Sequence, residues 1–193
     1  MPIVGTIAGA SARGYGGLGA SVAALAGTYD SIATATVGVG GQATITFATI
    51  PTTYKHLQIR AIGRITGTDN KPIIQFNSDT SASNYWQQAF YGSGGAGGSW
   101  TYNNNWINYW PESTTTANVF GAVIIDLLDY NNTNKLKTTR ALGGFDASGS
   151  GFTWYNALMW NSTNAITSIT LKPNDSSNFA QYSSFALYGI KGS

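Results

Sequence analysis

From residue 29 onward the chain is a series of short apolar segments broken by turn residues, and none of them carries a helical apolar period. That pattern restricts it to an all-β fold, because the segments alternate at the two-residue period of a strand and are too short for core-packing helices. "SIATATVGVGGQATITF" reads as two strands joined in a hairpin by a tight turn at Gly38–Gly41. In "YKHLQIRAIGRI", Leu57, Ile59, Ala61 and Ile65 share the core side while Gln58, Arg60 and Arg64 face out. "PIIQFN" and "NYWQQAFYG" follow. "NVFGAVIIDLLDY" and "KLKTTRALGGFD" flank "NNTN" and read as a second hairpin, and "FTWYNALMW", "AITSITLKP" and "SSFALYGIK" supply the last strands. About ten strands at this spacing predict an antiparallel sandwich of jelly-roll type. Residues 92–118 are expected to form one long loop rich in Gly, Asn and Trp, of a length that suits function or packing against a partner.

Residues 1–28 are a different kind of sequence, rich in Gly, Ala and Ser, with Arg13 as their one charge and no β-alternation. The chain therefore divides into an extended N-terminal arm, 1–28, and a sandwich domain, 29–193. The arm contains Gly14, Gly16 and Gly19 in the GxGxxG spelling of a dinucleotide-binding turn. Such a turn must follow a strand, open a helix and precede an acidic residue about 20 positions on. Here "SAR" precedes the glycines, a β-segment follows them, and Asp30 comes too early. No cofactor is expected; the glycines instead let the backbone lie close against another surface, with Arg13, Tyr15 and Leu18 as attachment contacts. No basic region precedes the N-terminal apolar stretch, and no apolar run approaches the ~20 residues of a membrane span. Neither a signal peptide nor membrane insertion is expected.

Acid–base and metal chemistry have little material. Only 9% of the 193 residues are charged, cysteine is absent, and the net charge of +2 is too small and too dispersed for nucleic-acid binding. Such a surface, made of hydroxyls, amides and glycine, suits close assembly with neighbours. His56 is the sole histidine and Glu112 the sole glutamate, with no GxSxG to make His56 a triad base. Asp126 and Asp129 are three apart on a strand, so they face opposite ways and make a poor glycosidase pair. Asp129 reads as a residue capping its own turn. If that turn closes around Asn132 and Thr133, Asp126 lies opposite Thr139 with Lys137 diagonal on the same face. The oxygen-rich turns at 129–134, 146–151 and 174–178 lack the spacing of a calcium loop and read as ordinary turns. No catalytic and no metal-binding residues are expected.

One constellation stands out. Trp86, Trp100, Tyr102, Trp106, Tyr109 and Trp110 crowd a stretch full of asparagine. Flat rings beside amides can stack on a glycan, anchor a protein interface, or fold a loop onto its own sandwich, and composition does not choose among these uses.

"YDSIATATVGVGGQATITFATIPTTYKHLQIRAIGR", "FGAVIIDLLDYNNTNKLKTTRALGGFD" and "SITLKPNDSSNFAQYSSFALYGIKG" together resemble a group of tailed-bacteriophage virion structural proteins of the marine and cyanophage type, over about residues 29–192. "SARGYG" resembles the short attachment arms of such proteins. The resemblance implies a non-enzymatic β-sandwich at the surface of the phage particle, made in the host cytoplasm. It implies partners among the other capsid or tail proteins and assembly into homo-oligomers, with a trimer favoured. Two roles follow. A capsid decoration protein needs only a compact domain and an arm, whereas a receptor-binding tail or head fibre recognising host-surface glycan through the aromatic loop would normally have a shaft, and none is legible here. Decoration, or another short particle-attached subunit held by the arm, is the preferred expectation, with a glycan hydrolase a remote third.

Overall fold

A computed structural model describes residues 28–192, and among them every regular element except one turn of 3-10 helix at Ala82–Asn84 is a β-strand. The strands are β1 (Tyr29–Thr36), β2 (Ile45–Phe47), β3 (His56–Gly63), β4 (Pro72–Phe76), β5 (Tyr85–Ser93), β6 (Ala96–Tyr102), β7 (Gly121–Leu128), β8 (Lys137–Asp146), β9 (Gly151–Trp160), β10 (Ile169–Pro173) and β11 (Ser184–Ile190). Eight form one antiparallel sheet in the order β1-β11-β3-β7-β8-β9-β5-β6, and three form a second in the order β2-β10-β4. The expected all-β antiparallel sandwich is present, with its strands divided unequally between the layers.

Alternation builds the core. Leu57, Ile59, Ile125, Leu127 and Leu158 point inward from the large sheet to meet Ile45, Phe47, Ile74, Phe76, Ile169 and Leu171 of the small one. β4 is buried at every position, and both its edges are covered. β10 pairs on one side; on the other, residues 104–107 run alongside, with the Ile74 amide donating to Asn105 O at 3.0 Å and the Ile107 amide to Pro72 O at 3.0 Å. The 92–118 stretch is therefore no single loop. It contains β6, paired to β5, and an irregular extra strand on the small sheet.

The expected Gly38–Gly41 hairpin does not form. β1 pairs with β11, and β2 pairs with β10 in the other sheet. Gly40 and Gly41, at φ of 91° and 77°, turn the chain from one layer to the other, and Gln42 then exchanges backbone hydrogen bonds with Phe179. A tight turn requires the same glycines whether the next strand joins its neighbour or crosses to the opposite sheet.

The β7–β8 hairpin is present, but its register differs by one residue from a turn centred on Asn132 and Thr133. Asp126 lies opposite Arg140, and Leu128 opposite Thr138. Since side chains alternate faces, a one-residue slip reverses the strand's orientation, and Lys137 points inward rather than beside Asp126. Its ammonium is enclosed, donating to the carbonyls of Asn132 (2.6 Å), Lys135 (3.0 Å) and Thr163 (2.9 Å). Burial pushes its pKa down, and all three N–H donors are used. Lys137→Met is expected to cost about 3 kcal/mol in urea unfolding, because it leaves three carbonyls unpaired; a cost under about 0.5 kcal/mol would show the cage to be dispensable.

Candidate functional site

The large sheet has one face on the core and one on solvent, and its solvent face is unusually apolar. Cross-strand register aligns Arg60, Ile124, Leu142, Tyr155, Phe90 and Ser99 in a single row across β3, β7, β8, β9, β5 and β6. Between the polar ends, four consecutive strands present large apolar side chains, with Leu142 56% and Phe90 62% exposed. Ile62 extends the patch on the neighbouring row, and Leu128 and Trp86 are exposed on a further row, beyond Asp126 and Arg140. Over β3, β7, β8 and β11 the face is hollowed into a groove of 640 Å³ lined by Ile62, Ala122, Ile124, Leu142, Gly144 and Ala186. On the outer face of the small sheet, in contrast, Thr46 and Thr170 pair through their hydroxyls at 3.2 Å.

A polar seam runs beside the apolar row. Gln58 donates to Asp126 at 2.8 Å and accepts from Arg60 Nε at 2.8 Å, while Arg140 approaches Asp126 at 3.7 Å. Arg60 also lies over the rings of Tyr29 and Tyr188, at 5.6 and 5.3 Å. The seam thus offers both signs of charge, held in place by side-chain bonds.

The six aromatics do not act together. Trp110 is fully enclosed in the sandwich core against Phe179 and Phe185, so its ring is closed to any ligand. Tyr109 and Trp100 belong to a second apolar cluster with Trp154, Tyr91 and Phe152 beneath β5 and β6. Burial pushes the Tyr109 hydroxyl up to about 12, with the nearby Asp69 adding to the rise. Trp106 is half-buried beneath Lys71, whose ammonium lies 5.2 Å from its ring centre. Tyr102 is exposed at the β6 edge, and Trp86 at 48% exposure stands apart on the outer sheet face. The internal-packing use accounts for Trp110, Tyr109 and much of Trp100. Arg13, Tyr15 and Leu18 lie outside the described residues.

The titratable groups are engaged structurally. His56 Nδ1 accepts the Asp129 amide at 2.9 Å, which places its proton on Nε2. Asp129 does not cap its own turn through its side chain. It forms ion pairs with Lys135 and with Lys55, the latter at 3.1 Å, and these hold its carboxyl down to about 2 from a normal 3.8. A carboxyl depressed on folding stabilises the native state fully above the unfolded pKa and loses that contribution as pH falls through the folded one. The Asp129 contribution is thus complete above about pH 4 and gone near pH 2. Asp129→Asn, which tolerates the local φ of 48°, is expected to flatten the acid limb of stability in that window; an unaltered limb would remove Asp129 from the account. Among the described residues, no three His, Cys, Asp or Glu side chains gather as a metal site.

Phe90, Ile124, Leu142 and Tyr155 escaped the sequence reading. The signal for Ile124 is "VIIDLL" in β7, a near-continuous apolar run where a strand with one wet face should alternate. Such runs belong to strands covered on both sides. Comparison of the chain with protein-family models, with curated proteins and with solved structures gives no match.

Proposed function

We propose that the chain is a non-enzymatic structural subunit of a bacteriophage particle, a capsid decoration protein that assembles with further copies of itself through the outer face of its large sheet. Residues 1–28 attach it to the particle. The observation that supports assembly is the apolar row Ile124–Leu142–Tyr155–Phe90. Eight strands and four side-chain rows cover roughly 34 Å by 20 Å, close to the ~800 Å² per partner of a stable interface. The seam of Asp126, Arg60 and Arg140 supplies both halves of an ion pair, so a second copy of the same face is a complementary partner. Placement on the particle is supported by the resemblance of residues 29–192 and of the arm.

Light scattering on the full chain is expected to give a multiple of 20.3 kDa: twice that mass where two such faces pair about a two-fold axis, three times for the trimer that the resemblance favours. A monomer at micromolar concentration contradicts the assembly. Deleting residues 2–28 is expected to leave a folded β-domain that no longer binds particles. If the truncated protein still coats them, attachment lies elsewhere.

A further inference from the structure

We infer that the open edge of the large sheet, strand β6, pairs antiparallel with β6 of a second copy and joins two eight-stranded sheets into one. The contact is separate from the sheet-face assembly and uses none of the apolar row.

The turn before β6 decides which of its backbone groups are free. β5 and β6 are joined by two residues, Gly94 and Gly95, with Gly94 at φ 57°. Across such a turn the flanking residues, Ser93 and Ala96, exchange both backbone hydrogen bonds, and bonded and non-bonded pairs alternate from there. Ala96, Gly98, Trp100 and Tyr102 therefore turn their backbone groups toward β5, whereas Gly97, Ser99 and Thr101 turn theirs outward. Among the described residues no backbone or side-chain group bonds to those three, and all three are exposed.

The remaining edges are guarded. β1 carries a bulge between Ser31 and Ala33 and the Asp30–Lys191 ion pair at 2.8 Å. β2 is three residues long, and residues 104–107 cover β4. β6 has seven residues in unbroken register with β5, with neither proline nor charge. A bare edge of this kind is a template for another strand.

The sequence of β6 suits a second β6. In an antiparallel pair centred on Ser99, the two Ser99 residues meet on a two-fold axis and Gly97 lies opposite Thr101. All the outward residues then fall at hydrogen-bonded positions. The bulky half of the strand, Trp100 and Tyr102, meets the small half, Gly98 and Ala96, so no two large side chains oppose each other. The absence of charge removes like-charge repulsion. The axis stands perpendicular to the sheet, so the row Leu142–Tyr155–Phe90–Ser99 continues into the second copy on the same face. With one bare edge per chain, the contact closes at two copies.

The test is amide hydrogen exchange of the isotope-labelled full chain, with light scattering at the same concentration. The amides of Gly97, Ser99 and Thr101 are expected to be protected. Ser99→Pro removes an outward donor and leaves the β5 ladder intact. It should speed exchange at Gly97 and Thr101 at least about tenfold and lower the mass, with far-ultraviolet circular dichroism unchanged. Should that variant misfold, Ser99→Lys keeps the amide, sets two ammonium groups opposite each other across the axis, and should have the same effects. Leu142→Glu, three strands away, should leave the edge protected even where it disrupts the sheet face. Free exchange of the three wild-type amides overturns the proposal. Protection in a chain of single mass does so too, because it gives the edge to another segment of the same chain. Protection or mass that survives the Ser99 substitutions, or edge protection lost in Leu142→Glu, likewise overturns it.

Discussion

Trp110→Ala is expected to lower the unfolding free energy by about 3–5 kcal/mol, the cost of removing a large buried aromatic from a close-packed interior. The indole fits a slot made by two glycines opposite each other on adjacent strands, Gly63 on β3 and Gly121 on β7. A Cβ at Gly63 would lie 2.1 Å from the ring, and one at Gly121 3.1 Å from it. Phe179 and Phe185 close the pocket with centroids at 5.5 and 5.8 Å. Neither sheet can collapse into the space because both are held by their ladders, so the cavity persists. Gly63→Ala should be comparably severe from the opposite cause, overpacking against a ring that has nowhere to move. Trp86→Ala, on the solvent face, is expected to change monomer stability by less than about 0.5 kcal/mol. Urea unfolding followed by far-ultraviolet circular dichroism measures all three. A Trp110→Ala cost below about 1 kcal/mol would remove the indole from the core account.

The double substitution Phe90→Glu, Leu142→Glu is expected to reduce the particle seen by light scattering to the 20.3 kDa chain. Both side chains are more than half exposed, so in the single chain the new carboxylates stay hydrated and the fold is kept. In an assembled face they would be buried without partners, at about 3–5 kcal/mol for each uncompensated charge. One such charge weakens association by about two to four orders of magnitude. Unchanged mass with unchanged circular dichroism would place the contact on another surface. Dissociation of the wild-type complex on deletion of residues 2–28 alone, with the double variant still assembled, would give the contact to the arm and overturn the face.

Much of the strand inventory was legible in advance because a strand is specified by its own residues. The alternation of Leu57, Ile59 and Ala61, or the punctuation around "NNTN", acts over a few positions and survives in the structure as β3 and the β7–β8 hairpin. Three features were not legible. The residues after β6 look like a loop by composition yet complete the edge of β4, because a backbone edge accepts any chain that can reach it. The β7–β8 turn is one residue longer than its symmetric reading, and that residue decides whether Lys137 faces water or carbonyls. The six aromatics are neighbours in sequence but separate into core, satellite cluster and surface, since successive strand residues point to opposite faces.

The sequence by itself determined an all-β chain, its low charge and its scarcity of acid–base groups, since each of these is a sum or a short-range pattern. Only the tertiary structure decided that β1 pairs with β11 rather than β2, and that four strands line up Ile124, Leu142, Tyr155 and Phe90 on one open face. Strand pairing is a choice among distant backbones whose local signals are alike. It is settled by which arrangement closes the core, and the surfaces that matter for function are what that closure leaves outside.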